Sequence, residues 1–296
     1  MTTTAPRMIV SDIDGTLLNS QERVTDRLRQ VISRAMNAGA GFTLATGRPA
    51  RWLIPVLDQL PVRPVCVCAN GAVVYDSARD EVVHTKTLSP EQMAHVVAVA
   101  KEATAHLPTH LPEHLFGRNT QVTHRVGFAA ERAGISAFDR AEELYVVEPL
   151  FTHAWESDEH SVIPVSEIIS QSAVKLLVRN PNVTSRELYD AIAPKLDPAI
   201  AHISYSWGGG LVEISAPGVS KRSAIEWLLE QGKAGEEVTA EDCIVFGDMP
   251  NDLEMIRWAG RGVAMGNAED TVKAAADIVT DTNNEDGVAK ILEQWY

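Results

Sequence analysis

The chain has 296 residues, of which 45% are hydrophobic and 22% are charged, and its formal net charge at pH 7 is −14. These values are typical of a globular protein long enough for two domains. Because the excess negative charge repels nucleic acids and anionic lipid surfaces, we expect neither as a partner. The amino-terminal segment lacks the apolar core of a signal peptide, and no apolar run has the length needed to span a bilayer. With only three cysteines in the chain, we expect buried thiols and a cytoplasmic location.

The amino-terminal part alternates apolar runs with a helical repeat. The runs predict strands at residues 8–10, 42–45 and 65–69. Apolar residues recur at helical spacing within residues 25–36, and Gly39 is suited to the end of that helix. Alternating strands and helices favour parallel pairing through βαβ units, so we predict an α/β fold with a parallel sheet.

The carboxyl-terminal part shows the same alternation. The pattern predicts helices at residues 220–230, 252–259 and 268–276, strands at residues 243–246 and 262–265, and a final strand and helix within residues 278–292. Together with the amino-terminal part, it completes one predicted core made of residues 1–83 and 215–296.

The segment between these parts, residues 84–214, differs in pattern. It is rich in histidine, with a predicted strand at residues 174–179 and a hairpin within residues 202–215 that turns at three consecutive glycines. We predict an inserted α+β domain, which could move as a lid over the core. We expect Trp155 and Trp207 to fill cores, with stacking on a ring of the substrate as the alternative.

Two acidic residues, Asp12 and Asp14, follow the first predicted strand, and Gly15 comes next. The carboxyl ends of parallel strands are where α/β sheets bind ligands. In a regular strand the two acids would share a face, whereas a turn at Gly15 would also let Asp14 offer its backbone oxygen. Gathering two acids beside an apolar strand is costly unless a cation or a proton compensates. An ordinary Asp-Gly turn at a strand end is the structural alternative.

Two further polar elements could bind phosphate. Thr46 and Gly47 follow the second predicted strand, where a hydroxyl and exposed amides can hold a phosphoryl oxygen, and the Arg48 guanidinium offers a fork of donors. Lys221 begins a helix, where its charge opposes the helix dipole, and such a local cost suggests a function. A simple turn and a solvated surface lysine are the structural alternatives.

A second acidic turn follows the predicted strand at residues 243–246, with Asp248, Asn251 and Asp252. Two acidic strand ends in one domain suggest a shared metal site. Hard oxygen ligands without a set of histidines or cysteines suit Mg²⁺. Two like charges about 4 Å apart repel by about 4 kcal/mol at an effective dielectric constant near 20, so these acids need a cation and Lys221 to accept a phosphate.

In order and spacing, the four elements resemble the motifs of the haloacid dehalogenase (HAD) superfamily, and within it the Cof-type phosphatases with a class IIB cap. Residues 12–16 resemble the first motif, residues 46–48 the second, Lys221 the third and residues 247–252 the fourth. The phrase Asn70-Gly71-Ala72 is similar as well. The resemblance implies a HAD-like Rossmannoid core with a parallel sheet and an inserted α+β cap; the cap itself matches only in length and position.

The resemblance also implies catalytic and metal-binding roles. Asp12 would be the nucleophile that forms an aspartyl-phosphate, and Asp14 would act as acid and then as base. Asp12, the Asp14 carbonyl and Asp248 would hold Mg²⁺. Asp252 would support that shell or orient Lys221.

The implied phosphate contacts are those of Thr46, Gly47, Lys221 and Asn251, and Arg48 would reach phosphate or the cap. The implied protein is a monomeric or homodimeric Mg²⁺-dependent phosphatase of small phosphomonoesters, either sugar phosphates or phosphorylated cofactors such as pyridoxal phosphate. A phosphomutase or phosphotransferase on the same intermediate stays open, and a non-catalytic ligand-binding relative is a further alternative.

Histidines recur every four residues in the cap segment, at His106, His110 and His114. Pro108 and Pro112 prevent a regular helix there, so this spacing does not place the three on one face. We predict a solvated loop, with contacts to substrate and a second metal site as alternatives.

Overall fold

The computed structural model describes residues 4–108, 125–153, 159–232 and 237–296. The chain divides into two compact units. Unit 1 comprises Met1–His84, Ile135–Ala137 and Ser220–Tyr296, and unit 2 comprises Thr85–Gly134 and Phe138–Val219. No helix among the described residues is long and apolar enough to cross a membrane.

The strands of the described residues are, in chain order, β1 (Met8–Ser11), β2 (Gly41–Ala45), β3 (Val65–Cys68), β4 (Val73–Asp76), β5 (Glu81–Thr85), β6 (Gly127–Glu131), β7 (Tyr145–Val147), β8 (Ser161–Val162), β9 (Lys175–Arg179), β10 (His202–Ser204), β11 (Leu211–Ser215), β12 (Cys243–Gly247), β13 (Arg261–Ala264) and β14 (Ile278–Val279). The helices are α1 (Asp26–Asn37), α2 (Ile54–Leu57), α3 (Pro90–Ala103), α4 (Ala141–Leu144), α5 (Val165–Ile168), α6 (Ser185–Ile192), α7 (Lys221–Glu230), α8 (Leu253–Trp258), α9 (Asp270–Lys273) and α10 (Gly287–Leu292).

Unit 1 is built on a sheet with the strand order β14-β13-β12-β1-β2-β3-β4-β5. The strands from β14 to β3 pair in parallel, as the sequence predicted, whereas β4 returns antiparallel to β3. Every residue of β1 and β12 is buried, as expected for central strands covered on both faces. The chain order reverses at β1, which makes its carboxyl end the switch point where such sheets bind ligands.

The register of the three central strands brings the predicted motifs to one edge. Ser11 lies opposite Phe246 of β12 and opposite Leu44 of β2. The residues that follow these positions are Asp12, Thr46 and Asp248, each within one or two residues of a strand end. Parallel pairing therefore places residues from distant parts of the chain at the same level.

Helix α1 shows why the local sequence folds as predicted. The Thr25 hydroxyl accepts a hydrogen bond from the Leu28 amide and so caps the first turn. Its apolar side chains Leu28, Val31, Ile32 and Ala35 are buried, as the helical spacing predicted. The predicted helices at residues 252–259 and 268–276 are confirmed as the shorter α8 and α9.

Unit 2 is built on a second sheet with the strand order β10-β11-β9-β6-β7-β8. Its central strands pair antiparallel, and helices such as α3 and α6 begin with capping boxes at Ser89 and Thr184. The predicted hairpin is confirmed, since β10 pairs antiparallel with β11, although β10 ends at Ser204. The predicted strand at residues 174–179 is β9.

The structure tests part of the predictions about the tryptophans and histidines of the cap segment. Trp207 is 44% exposed and lies under the Arg179 guanidinium, so the prediction that it fills a core is wrong. His106 is exposed in a turn after α3, in agreement with a solvated loop. His110, His114 and Trp155 lie outside the described residues.

Candidate active site

Asp12 and Asp14 occupy different environments because β1 ends before them. A single π-helical turn, Ile13–Leu17, follows the strand and is broken by extended backbone at Asp14 and by Gly15 at φ +76°. The Asp12 side chain is 8% exposed and that of Asp14 is 58% exposed. The two acids thus do not continue one face of a strand, in contrast to the regular-strand alternative.

Lys221 joins two carboxylates inside unit 1. It is the first residue of α7, and its side chain is fully buried. Its Nζ donates to Asp12 Oδ1 and to Asp252 Oδ1, each at 2.6 Å. Although burial lowers the pKa of Lys221, these two carboxylates raise it above its usual value. The position at a helix start, unfavourable for a lysine, is therefore compensated by two ion pairs.

Asp252 organises the turn that follows β12. Its Oδ2 accepts the amides of Asp248 and Met249, at 2.9 and 3.0 Å. Its Oδ1 is bound to Lys221, so both oxygens of this carboxylate are engaged. Gly247 is required beside it, because a Cβ there would lie 2.5 Å from the Asp252 side chain. Asp252 thus holds both the lysine and the backbone of the acidic turn.

The buried carboxylates of Asp12 and Asp248 carry more negative charge than the protein compensates. Burial raises the pKa of Asp248 to about 7, and Asp252 adds to the effect, while the Thr16 hydroxyl opposes it with a 2.7 Å hydrogen bond to Asp248 Oδ1. Burial also raises the pKa of Asp12 well above its usual range, against the attraction of Lys221. Both acids would be stabilised by an added cation.

The donor set fits a hard divalent cation. Carboxylate oxygens of Asp12, Asp248 and Asp252 lie within 4.8 Å of one another. Within the described part of the chain, Asp12 and Asp248 each keep one oxygen outside the hydrogen bonds given above. Gly15 leaves open space next to the Asp248 carboxylate, because a Cβ at position 15 would stand 2.4 Å from Asp248 Oδ2. All these ligand atoms are oxygens, as Mg²⁺ prefers.

The second predicted motif follows β2. Thr46 is buried, and its hydroxyl accepts the Arg48 amide at 3.1 Å, with the half-buried Gly47 between them. The Arg48 guanidinium forms two hydrogen bonds with Asp14, Nε to Oδ2 at 2.8 Å and Nη2 to Oδ1 at 2.5 Å. The structure therefore pairs Arg48 with the exposed acid.

Asn251 joins the site from the turn after β12. Its Nδ2 donates to Asn70 Oδ1 at 3.0 Å. Its Oδ1 is buried and has no hydrogen-bond partner among the described residues. Sequence reasoning did not assign roles to Thr16 and Asn70, although both stand in segments that it singled out, the acidic turn after β1 and an Asn-Gly dipeptide.

Comparisons with known proteins agree with this geometry. A model of the haloacid dehalogenase-like hydrolases matches residues 9–292. The 5-amino-6-(5-phospho-D-ribitylamino)uracil phosphatase YcsE of Bacillus subtilis is 28% identical over 98% of this chain and 95% of its own. The pyridoxal phosphate phosphatase YbhA of Escherichia coli is 27% identical over 97% of both chains. The HAD subclass IIB sugar phosphatase BT4131 shares the fold, with a TM-score of 0.69 at 20% identity over 98% of both chains.

The fold and the four motifs, three at strand ends and Lys221 at the start of α7, define a HAD-type enzyme with a Rossmannoid α/β core. The chain belongs to the haloacid dehalogenase-like hydrolase family, whose model matches almost its whole length. Like its full-length relatives, it is a phosphatase, a phosphoric monoester hydrolase. The family and the fold class predicted from the motifs are thereby confirmed.

Proposed function

We propose that this chain is a Mg²⁺-dependent phosphatase that hydrolyses small phosphomonoesters through an aspartyl-phosphate on Asp12. The observation that carries the proposal is the buried Lys221 ammonium, which donates to both Asp12 and Asp252. Both oxygens of Asp252 accept hydrogen bonds, whereas only Oδ1 of Asp12 takes part in the hydrogen bonds described above. A buried, oriented and partly neutralised carboxylate is suited to attack a phosphoryl group.

The reaction has two halves. First, an Asp12 oxygen bonds to phosphorus while the bond from phosphorus to the ester oxygen breaks, and protonated Asp14 gives that oxygen its proton, so an alcohol leaves. Then Asp14 takes a proton from water as the water oxygen bonds to phosphorus. The bond between phosphorus and Asp12 breaks, inorganic phosphate leaves and both acids return to their starting states. The two hydrogen bonds from Arg48 would orient Asp14 in its ionised state, the state that takes the proton from water.

The residues assigned to phosphate binding supply donors and positive charge. Lys221 would neutralise Asp12 and the phosphoryl group together, because its ammonium already contacts the carboxylate. The side chain of Thr46, the amide of Gly47 and the Nδ2 of Asn251 would donate to phosphoryl oxygens. These four groups offset the repulsion between a phosphate dianion and the carboxylates.

Asp12, Asp248 and the backbone carbonyl of Asp14 would hold Mg²⁺. When bound, the ion supplies positive charge that offsets the buried carboxylates and the phosphate. Asp252 would act through its partners: it orients Lys221 and fixes the amides of Asp248 and Met249.

Residues 84–214 would act as the cap that selects the substrate, with residues 1–83 and 215–296 as the catalytic core. YcsE and YbhA are phosphatases of a phosphorylated ribitylaminouracil and of pyridoxal phosphate. We therefore expect the substrate to be a sugar phosphate or a phosphorylated cofactor, both small phosphate esters.

We also propose a cytoplasmic monomer or homodimer without nucleic-acid or membrane partners. The three cysteines, Cys66, Cys68 and Cys243, are all buried and unbridged, which suits a reducing compartment. The net charge of −14 supports the absence of anionic macromolecular partners.

Phosphate release from a panel of sugar, nucleotide and cofactor monophosphates tests the proposal. We would compare the native chain with Asp12→Asn and with Asp58→Asn, a control at an exposed acid, in Mg²⁺ and in EDTA. Turnover that needs Mg²⁺, survives in the control and vanishes in Asp12→Asn is expected. Turnover in EDTA, or in Asp12→Asn, would contradict the proposal. Adding sugar alcohols to the same assay identifies a phosphotransferase, because the phosphoryl group would then appear on the added alcohol.

A further inference from the structure

The turn that follows β3 has a backbone that its residues do not favour. Ala69, Asn70 and Gly71 have φ values of +49°, +57° and +100°. Alanine rarely adopts a left-handed conformation, and such residues cost of order 1–3 kcal/mol each unless the surroundings impose them. This turn is the Asn-Gly dipeptide singled out in the sequence, for which the proposed function assigns no role.

The backbone of the turn is tied to the segment after β2. The amide of Asn70 donates to the Thr46 carbonyl, and the amide of Ala69 donates to the Arg48 carbonyl, both at 2.9 Å. Both amides of the turn therefore donate to the same segment, and the left-handed conformation of Ala69 brings the Asn70 amide to it. The turn thereby fixes the backbone on both sides of Gly47.

Gly71 lies against the start of helix α7. A Cβ on Gly71 would be 2.1 Å from the Ser220 carbonyl oxygen and 3.2 Å from the Lys221 amide nitrogen. Only a glycine allows this approach, because the obstructing atoms belong to backbone. The turn therefore also contacts the peptide group that precedes the buried lysine.

The Asn70 side chain reaches the acidic turn after β12. It is 4% exposed, and its Oδ1 accepts Asn251 Nδ2 at 3.0 Å. This hydrogen bond fixes the orientation of the Asn251 amide, including its second N–H. One short turn thus contacts three of the four motif segments, through two backbone amides, one close approach and one side chain.

We propose that the turn Ala69–Gly71 is a positioning element for the active site and that Asn70 orients the Asn251 amide toward the phosphoryl group of the substrate. Asn70 is a positioning residue, because it acts through Asn251 and does not itself contact the reacting atoms. The strain of the turn is retained because a relaxed turn would lose the contact of the Asn70 amide and the approach to α7. This inference rests on the proposed function, since Asn251 is assigned there to bind phosphate.

A double-mutant cycle on the full chain tests the link between the two asparagines. Asn70→Gly keeps a left-handed backbone and removes the acceptor, Asn251→Ala removes the oriented amide, and the double variant removes both. Glu237→Gly is the matched control, since it also places glycine at a positive φ (+59°), at an exposed residue. The readouts are kcat, KM, the melting temperature and the Kd of inorganic phosphate in Mg²⁺ by calorimetry.

We expect Asn70→Gly to lower kcat/KM by about tenfold and to weaken phosphate binding by about fivefold in the native background, and to change either by less than about twofold when Asn251 is already alanine. Melting temperatures should stay close to that of the control. Asn70→Asp, which keeps an acceptor and tolerates a left-handed backbone, should recover much of the lost kcat/KM. If Asn70→Gly fails to fold, Asn70→Ala takes its place in the cycle, because it also removes the acceptor.

Equal losses in both backgrounds would overturn the inference, because Asn70 would then act independently of Asn251. Native-like phosphate binding in Asn70→Gly, with weakened binding in Asn251→Ala, would overturn it as well. Failure of the proposed function looks different: the native chain itself would release no phosphate from any ester, while the calorimetric cycle would still measure the coupling of the two asparagines.

Discussion

Each unit of this molecule buries a lysine against carboxylates, and the two clusters differ in how far the carboxylate oxygens are satisfied. In unit 2, the side chains of Lys175 and Glu213 are 6% and 7% exposed and form an ion pair at 2.5 Å. The second oxygen of Glu213 accepts the Ser206 hydroxyl at 2.9 Å. In unit 1, Lys221 serves two carboxylates, and Asp12 and Asp248 each retain an oxygen outside the hydrogen bonds of the site.

The difference separates a structural pair from a reactive cluster. A buried ion pair whose oxygens are all hydrogen-bonded has little left to offer a ligand, and breaking it leaves a charge uncompensated. A cluster with surplus carboxylates is unstable by itself and gains from a cation or from protonation. The two clusters should therefore respond in opposite ways when a charge is removed.

Removing the charge of Asp12 should have the largest effect on activity and should not destabilise the fold. We expect Asp12→Asn to lower kcat by roughly 10⁵-fold, as for the loss of a nucleophile. Its melting temperature in EDTA should equal or exceed that of the native chain, because the raised pKa of Asp12 means that the folded state favours the neutral form. The asparagine oxygen can still accept from Lys221. A large fall in melting temperature would show that Asp12 is mainly structural.

The opposite response is expected in unit 2. Lys175→Met should leave Glu213 buried without its ammonium and lower the free energy of unfolding by about 3–5 kcal/mol. Urea unfolding followed by circular dichroism measures the change. The double variant Lys175→Met/Glu213→Leu should recover most of the loss, because both charges are then absent. If the single variant is as stable as the native chain, the pair is not structural and the comparison fails.

The sequence was sufficient for the parallel core and the motifs because both depend on local patterns. Asp12, Thr46 and Asp248 each directly follow an apolar run. Because these runs are neighbouring parallel strands, the three residues lie at the same edge of the sheet, and their positions along the chain predicted their proximity. It could not reveal that Arg48 binds Asp14, because the π-helical turn after β1 changes the direction of the Asp14 side chain by an amount that no spacing encodes.

The cap segment was harder to interpret for a physical reason. Antiparallel strands with short helices give weak periodicity, and helix α3 was not predicted although it begins with a capping box at Ser89. The exposure of Trp207, which lies between β10 and β11, depends on the glycine turn and on Arg179 at the end of β9. Contacts of this kind between distant residues are set by packing and leave no local pattern.

The uncompensated negative charge of Asp248 gives a further test of the comparison between the ion pair of unit 2 and the carboxylate cluster of unit 1. In EDTA at pH 8, Asp248→Asn should raise the free energy of unfolding by about 1–3 kcal/mol, because the pKa of Asp248 is about 7 and the native carboxylate is ionised at that pH at a cost. Mg²⁺ should stabilise the native chain by an amount that grows with the logarithm of its concentration once the site is filled, and it should leave the variant nearly unchanged. Melting curves with and without Mg²⁺ measure both effects. A variant that Mg²⁺ stabilises as much as the native chain would place the ion elsewhere.

The smallest expected effect concerns Glu148, an acid of unit 2 that is only 5% exposed. Burial raises its pKa to about 7, although the Phe128 amide, which donates to Glu148 Oε1 at 2.7 Å, and the charge of Lys101 oppose the shift. Because the folded state holds this proton more tightly than the unfolded state, the group adds stability at low pH that is lost as the pH rises from about 4.5 to about 7.

Glu148→Gln keeps an oxygen acceptor for the Phe128 amide and removes the titration. The variant should therefore show a shallower decline of unfolding free energy between pH 5 and pH 8, and at pH 8 it should exceed the native chain by about 1–2 kcal/mol. Urea unfolding at several pH values gives both curves, and Glu167→Gln, at an exposed acid of the same unit, is the control. Parallel curves for Glu148→Gln and the native chain would mean that this carboxylate is compensated like that of Glu213. Curves that converge toward low pH would identify Glu148 as a buried acid that destabilises unit 2 when ionised, whereas the buried acids of unit 1 lie close enough together to share the proposed cation.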